Sequence, residues 1–302
     1  MNENLQGWIN LYKPIGISSF SAIYKIKKKF NFNKIGHAGT LDPNAEGILP
    51  VAVNKATKLI PFINSDFKEY YFKIKWGQQT TTDDAEGEII KSSYKIPSDE
   101  NIVKMIDNFV GNISQIPPKA SAININGRRA YALLRDKKKF DIDEKKVFLK
   151  KIKFLGSNNN TSNFFIECGK GFYVRSLARD LAHKLDTFGH ATEIKRTKVG
   201  NFNSKSSILL DDLLKIGQSK PEFNFIYSSI SMLDDILAYE VEKESDLIDL
   251  SLGKKIFINN EKLIKKALSS DNKTLVFLSN KGNIVSFGEL TGDLFQPHKV
   301  LT

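Results

Sequence analysis

Asp42 and His37 share the run Gly36-His37-Ala38-Gly39-Thr40-Leu41-Asp42-Pro43-Asn44-Ala45-Glu46-Gly47-Ile48-Leu49-Pro50. Three glycines and two prolines in fifteen residues over-specify its backbone. A rigid loop that presents a carboxylate and an imidazole suits an active site, because chemistry is carried on loops held by a scaffold. Residue types alone leave a second reading open. Asp42-Pro43 can simply start a turn, and His37 can satisfy a backbone group.

Hydrophobic period outlines the elements that must hold this run. Residues 7–12 read as a short strand ended by Lys13-Pro14, since proline cannot donate to a ladder. Ser18 or Ser19 caps a helix whose apolar positions are Phe20, Ile23, Ile26 and Phe30. Lys25, Lys27, Lys28 and Lys29 crowd its other side, as a solvated face or a phosphate-contacting one. Residues 36–50 are expected to be loop. Tyr70, Phe72, Ile74 and Trp76 alternate with Tyr71, Lys73 and Lys75, which predicts a half-buried strand. Thr80–Glu88 reads as a polar acidic turn without the ligand spacing of a calcium loop.

Further along, Ser98 caps a helix carrying Ile102, Val103, Ile106, Phe109 and Val110, closed by Gly111. Asn126-Gly127 signals a hairpin turn followed by Arg128 and Arg129. Strands are expected near 147–154 and 163–168, separated by the polar insert Ser157–Ser162. Leu177, Ala178, Leu181, Ala182 and Leu185 mark an amphipathic helix. The chain loosens near Gln218–Phe225, and beyond about residue 240 strand-like pieces at Thr274–Ser279 and Asn283–Leu290 flank a turn. The fold class expected is α+β, a mixed, mainly antiparallel sheet flanked by helices. Residues 1–235 would form the main domain and 240–302 a small β-rich one. No internal repeat is visible.

Composition bounds the partners. The chain has 302 residues, 41% hydrophobic with 21 Phe, which is enough to fill a core. A net charge of +11 favours a polyanion, and a membrane surface would satisfy the sign as well as RNA. Cys168 is the single cysteine, so neither an intramolecular disulfide nor a cysteine-based zinc site is credible. The four histidines lack metal-ligand spacing. No apolar run approaches a bilayer span, and Met1 to Trp8 lacks a signal-peptide core, so a cytoplasmic location is expected.

The loop 36–50 resembles the signature loop of the bacterial TruB family of tRNA pseudouridine synthases, which modify uridine 55 in the T-loop. Gly7–Ser19 (GWINLYKPIGISS), Gly77–Gly87 (GQQTTTDDAEG), Gln115–Ala122 (QIPPKASA), Gly127–Tyr131 (GRRAY) and Gly169–Leu181 (GKGFYVRSLARDL) resemble the same family in the same order. The resemblance covers about residues 7–200 strongly and the tail weakly. It implies a pseudouridine synthase fold with a PUA-like RNA-binding tail. Asp42 falls on the catalytic aspartate, and Tyr70 on the active-site tyrosine. Tyr173 and Arg175 fall on the aromatic residue and arginine lining the uridine pocket. Lys13, His37 and Ile194 match further substrate-contacting positions. Ile194 stands where family members often carry Leu, which preserves apolar volume.

The implied reaction breaks the N1–C1′ bond, turns the uracil and rejoins it through C5. No electrons change hands, so no cofactor and no metal is expected. The implied partner is a tRNA T-arm stem-loop, bound by a monomer that extrudes the target base. Two other readings are a non-catalytic tRNA-folding chaperone, whose activity can coexist with catalysis, and a basic membrane-surface or ribosome-associated protein.

Overall fold

The structure is a computed structural model and describes residues 5–63, 67–217, 223–233, 237–269 and 274–301. In chain order the strands are β1 (Gly7–Lys13), β2 (Ile35–His37), β3 (Ala45–Val53), β4 (Lys68–Trp76), β5 (Gln78–Thr80), β6 (Ile89–Ser92), β7 (Gly111–Gln115), β8 (Asn124–Ile125), β9 (Arg128–Arg129), β10 (Lys145–Asn158), β11 (Thr161–Cys168) and β12 (Gly189–Val199). Between them lie helices α1 (Ser19–Phe30), α2 (Asp99–Ile106), α3 (Ala130–Arg135) and α4 (Val174–Lys184). Along the large sheet the order is Ile208–Leu209, β1, β3, β12, β4, β11, β10, β7. From β12 to β7 every neighbour is antiparallel, and β1 is antiparallel to β3. At the centre β3 and β12 run parallel, with Ala45, Glu46 and Gly47 opposite Ile194, Lys195 and Arg196. The fold is α+β with a mixed, mainly antiparallel sheet.

Helix α1 starts at the expected cap, where the Ser18 hydroxyl accepts a hydrogen bond from Ser21 N. It buries Ser19, Ala22, Ile23, Ile26 and Phe30, and the apolar ones join Ile9, Leu11, Leu49 and Val51 in one core. Phe20, expected on this inner stripe, is 70% exposed instead. Ser19 takes the inward place because its hydroxyl bridges Leu41 N and Leu41 O at 2.9 and 2.8 Å. The stripe therefore starts one residue earlier than apolarity suggests.

The expected 36–50 loop is mostly strand. Only residues 38–44 separate β2 from β3, which is almost wholly buried. Glycine and proline serve other ends here. Pairing of β3 with β12 stops at Gly47 and with β2 starts at Val51, so on that side no ladder bond needs the donor Pro50 lacks. Strand β12 itself was not anticipated, because its outward Glu193, Lys195 and Lys198 mask the alternation.

On the same face of the sheet, where Ile194 sits opposite both Ala45 and Phe72, Tyr70, Phe72, Ile74 and Trp76 of β4 point inward as expected. They pack with Phe164, Ile166 and the α4 residues Leu177, Ala178 and Leu181. Each fully buried side chain of this kind contributes roughly 1.5–3 kcal/mol through water release. Helix α2 ends at Ile106, short of the expected Gly111; a 3₁₀ turn follows, and Gly111 opens β7. Val103 and Val110 are exposed. The Asn126-Gly127 hairpin forms, both residues at positive φ. Strands β10 and β11 extend through most of the expected polar insert, leaving a turn at Asn159-Asn160.

The tail has its own sheet, ordered Leu237–Glu240, Thr274–Asn280, Asn283–Thr291, Leu294–Val300, Ile256–Phe257. It also carries helices Glu244–Ser251 and Glu261–Ser269, which the strand-like texture had hidden. Residues 218–222 of the expected loosening, and 234–236 at the expected domain boundary, lie outside the described residues. Phe277 and Phe287 of the tail share a core with Trp8, Ala38, Ile48 and Leu59. The Phe62 and Phe287 rings are 4.0 Å apart.

Gly47 marks the closest approach of the two parallel strands. Its φ is +112°, and a Cβ there would lie 2.0 Å from the Arg196 carbonyl oxygen. Gly47→Ala is expected to lower unfolding free energy by more than about 2 kcal/mol. Urea titration of both proteins checks this, and an unchanged midpoint contradicts it.

Candidate active site

Loop 38–44 is held from below by two buried cations. The Lys13 side chain is fully buried and its ammonium donates to Pro14 O, Ile17 O and Pro43 O at 2.8, 2.8 and 3.3 Å. Arg196 is 1% exposed and donates from Nε to Ile48 O at 2.7 Å, from Nη2 to Gly39 O at 2.9 Å and from Nη1 to Thr40 O at 3.4 Å. A buried charge is tolerated only when hydrogen-bonded, so these carbonyls must stay where the cations need them. Gly16 N to Pro43 O, Ala38 N to Pro50 O and the Ser19 hydroxyl on Leu41 add further ties. Burial lowers the Lys13 ammonium to about 8, against a smaller opposite pull from Asp42. Expected at a substrate-contacting position, Lys13 has its protons directed to backbone carbonyls around the loop.

Above the loop, Asp42 meets Arg175 from the first turn of α4. Arg175 Nε lies 3.0 Å from Asp42 Oδ2. The same guanidinium donates from Nη1 to Asp84 Oδ2 and Thr82 O, and from Nη2 to Ala120 O, each at 3.0 Å. Its plane is thereby fixed. Asp84 is itself oriented by the Thr82 hydroxyl at 2.5 Å and by Glu86 N at 3.0 Å. Asp42 retains 38% side-chain exposure, open on one side of a cleft lined by Ala45, Asp84, Ala191 and Ile194. Burial pushes the Asp42 carboxyl above the usual aspartate value. Arg175 pulls it back, Asp84 pushes it further up, and Lys13 and Arg196 lower it to a lesser degree.

Residue-type reasoning passed over Asp84 as part of an acidic turn. A signal was present. Asp83-Asp84 are adjacent, Arg175 and Arg179 are one helical turn apart, and the two pairs meet, Arg179 reaching Asp83 Oδ2 at 2.7 Å. Arg196 was likewise passed over as a basic residue beside Ile194.

Tyr70 and Tyr173 approach the same carboxylate. Tyr70 is buried opposite Arg196 in register, with the guanidinium 6.0 Å from its ring centre. Burial raises the phenol of each tyrosine first of all, and the Asp42 charge adds to it. Both phenols therefore hold their protons at neutral pH. The Gln115 side chain clamps the Tyr173 backbone, accepting from its N–H at 3.0 Å and donating to its carbonyl at 3.2 Å. His37 ends β2 opposite Val51, and among the described residues its buried Nδ1 has no hydrogen-bond partner. Burial, then Arg196, lowers its pKa, so the ring is neutral at neutral pH. Asp42 and Ile194 thus line the cleft with Arg175 in contact with Asp42, Tyr70 and Tyr173 are near enough to feel the Asp42 charge, and Lys13 lies beneath the loop.

Away from the cleft, Arg128 pairs with Asp136 at 2.5 Å and Arg129 donates to Ala122 O at 2.6 Å. Burial pushes the Cys168 thiol up to about 12, which makes it a poor nucleophile. Among the described residues no three His, Cys, Asp or Glu side chains gather as a metal site, and no helix is long and apolar enough to cross a membrane.

Residues 27–174 match the N-terminal domain of TruB family pseudouridylate synthase. The chain is 39% identical over 306 residues to the tRNA pseudouridine synthase B of Ehrlichia ruminantium, covering 98% of this chain and 99% of that protein. It is 36% identical over 300 residues to that of Sinorhizobium medicae, covering 98% and 96%. The fold is similar to a chain of an archaeal box H/ACA sRNP Nop10–Cbf5 complex, with a TM-score of 0.71 at 20% identity, over 98% of this chain and 86% of that one.

Because Asp84 and Arg175 push the Asp42 carboxyl in opposite directions, their removal should have opposite signs. Asp84→Asn is expected to lower the Asp42 pKa and Arg175→Met to raise it. Carbon-13 NMR titration of the Asp42 carboxyl measures both. Shifts of the same sign in the two variants would show that the triad is miswired.

Proposed function

Because the chain belongs to the TruB family of pseudouridylate synthases, we propose that it isomerises uridine 55 in the T-loop of tRNA to pseudouridine, with Asp42 as the catalytic carboxylate. The observation that carries this reading is the Arg175–Asp42 contact at the open side of the cleft, with Asp84 behind the arginine. The guanidinium favours the ionised form of Asp42 and aims one oxygen, while the remaining exposure leaves room for a ribose.

Cleavage of N1–C1′ develops positive charge on the ribose, and an ionised carboxylate can stabilise it or bond to C1′. Alternatively Asp42 removes the C2′ proton, giving a glycal-like intermediate. Both routes need the charge. In either, uracil turns and C5 bonds to C1′ as the Asp42–C1′ bond breaks or the C2′ proton returns, and the C5 proton is released as N1 gains one. Atoms and electrons balance within the substrate, so the proposed reaction is cofactor-free. Tyr70, its phenol kept protonated by burial, stacks on the uracil and serves proton transfer at C5 or C2′. Tyr173 receives the flat base, Ile194 supplies apolar wall, and His37, neutral, packs on the RNA. Lys13 acts from beneath by fixing the loop.

The target uridine lies inside a folded loop and must be extruded to be reached. The lysines of α1 and the Arg128-Arg129 hairpin supply phosphate contacts, and loop shape supplies selectivity. Residues 1–235 carry the chemistry and 240–302 act as a PUA-like RNA-binding unit. The protein works as a monomer in the cytoplasm.

Asp42→Asn is expected to bind a T-arm hairpin as the wild type does while pseudouridine formation falls at least about 100-fold. Mass-spectrometric detection of pseudouridine in unmodified tRNA after incubation decides this, and near-normal product would remove Asp42 from the chemistry. Affinity for the hairpin should also fall steeply between about 50 and 200 mM salt. A flat dependence would contradict phosphate-dominated binding.

A further inference from the structure

Helix α1 exposes a ladder of residues four apart that neither the core nor the cleft uses. Phe20 is 70% exposed and Tyr24 47%, their rings 6.1 Å apart and inclined by only 15°. Lys28, one turn further, holds its ammonium 5.1 Å from the Tyr24 ring centre. Ile15, in the segment just before the helix, is also exposed. Aromatic pairing along a helix contributes far less than burying either ring would, so stability does not account for Phe20 standing in water.

Its position is informative. Ser19, the preceding residue, holds Leu41 on both its N–H and carbonyl, and Leu41 adjoins Asp42. Gly16, after Ile15, donates to Pro43 O on the other side of Asp42. The aromatic end of the ladder is therefore anchored to the catalytic loop, and the ladder leads away from it. Helix α1 contains four lysines and no acidic residue. A flat aromatic face beside cations, without carboxylates, matches a nucleic-acid strand better than an acidic or purely apolar protein surface. Every base has a π-face to stack, and each phosphate needs a cation.

We propose that Phe20 and Tyr24 form a stacking platform for an unpaired RNA base flanking the extruded nucleotide, with Lys28 and Lys25 on the neighbouring phosphates. The proposal rests on the RNA-substrate reading above. It gives α1 a role in opening the loop: a neighbour that stacks on Phe20 offsets part of the unstacking cost of extrusion.

The test uses the full chain and a T-arm RNA hairpin, with fluorescence anisotropy for Kd and single-turnover pseudouridine formation at saturating enzyme. Phe20→Ala and Tyr24→Ala should each weaken binding about tenfold, with the salt slope unchanged. Phe20→Leu, which keeps apolar bulk without a flat ring, should be as weak as Phe20→Ala. Phe20→Trp should retain wild-type affinity, and its fluorescence should be quenched by the hairpin. Lys28→Ala should instead flatten the salt slope. Wild-type Kd in the Phe20→Ala, Tyr24→Ala double variant, with product still formed, would overturn the platform and leave the RNA reading standing. Full affinity in Phe20→Leu would also overturn it, by pointing to an apolar contact such as a protein partner. A wild type that neither binds nor modifies the hairpin would remove the RNA reading, and the platform with it.

Discussion

Arg196 carries a charge into the middle of a β-sheet and takes backbone carbonyls as its partners. That single arrangement constrains most of the site. Its three acceptors belong to Gly39, Thr40 and Ile48, so loop 38–44 and strand β3 are bound to β12 through one side chain. The strands must also lie close enough for Arg196 to reach, and its own backbone presses against Gly47, where no Cβ fits. Moving β3 by an ångström would strand the guanidinium among unsatisfied contacts, which a buried charge makes expensive. The parallel junction of β3 and β12 is thus the rigid seat on which the reactive loop rests.

From that seat follows an electrostatic division of labour. Lys13 and Arg196 lie under the loop with their protons given to carbonyls, and Arg175 lies above it with its own directed at two carboxylates and two carbonyls. Of the two carboxylates, Asp84 is held by a hydroxyl and a backbone N–H as well as Arg175, while Asp42 has open space on one side. The surrounding field works in both directions on Asp42. Burial and Asp84 favour its neutral form, and three cations favour the charged one. Asp42 is thus a carboxyl whose ionisation is set by opposing neighbours, which suits a group that must exchange its interactions during a reaction.

What could be read in advance depended on how local the cause was. Strand β4 and helix α4 were legible because alternation and helical period are properties of the segment itself. So was the Asn126-Gly127 hairpin, whose turn requires positive φ at both residues. The loop around Asp42 was misjudged in extent because glycine and proline were taken as loop punctuation, whereas Gly47 is there for a neighbour about 150 residues away in sequence. Phe20 was misjudged because a serine with a specific long-range partner, Leu41, outcompeted an aromatic ring for the inner face. Residue type alone did not separate an active-site loop from an ordinary turn around Asp42, and family resemblance selected its role. The resemblance did not single out Asp84 or Arg196, whose contributions appear only when chain-distant carbonyls and carboxylates are brought within hydrogen-bond reach.

The tail bears on the same seat from behind. Phe277 and Phe287 share a core with Ala38, the first residue of the reactive loop, and with Ile48, whose carbonyl accepts from Arg196. A surface that only binds RNA could sit on a flexible linker with its own core, as the separate Val241, Leu250, Val276 and Phe295 cluster would allow. Here two apolar clusters meet on one strand pair, and one of them is shared with the body of the chain. Packed interiors transmit displacement because they have few voids to absorb it. A displacement of the tail would therefore be felt at Ile48 and along the carbonyls that Arg196 holds, beneath the loop that carries Asp42.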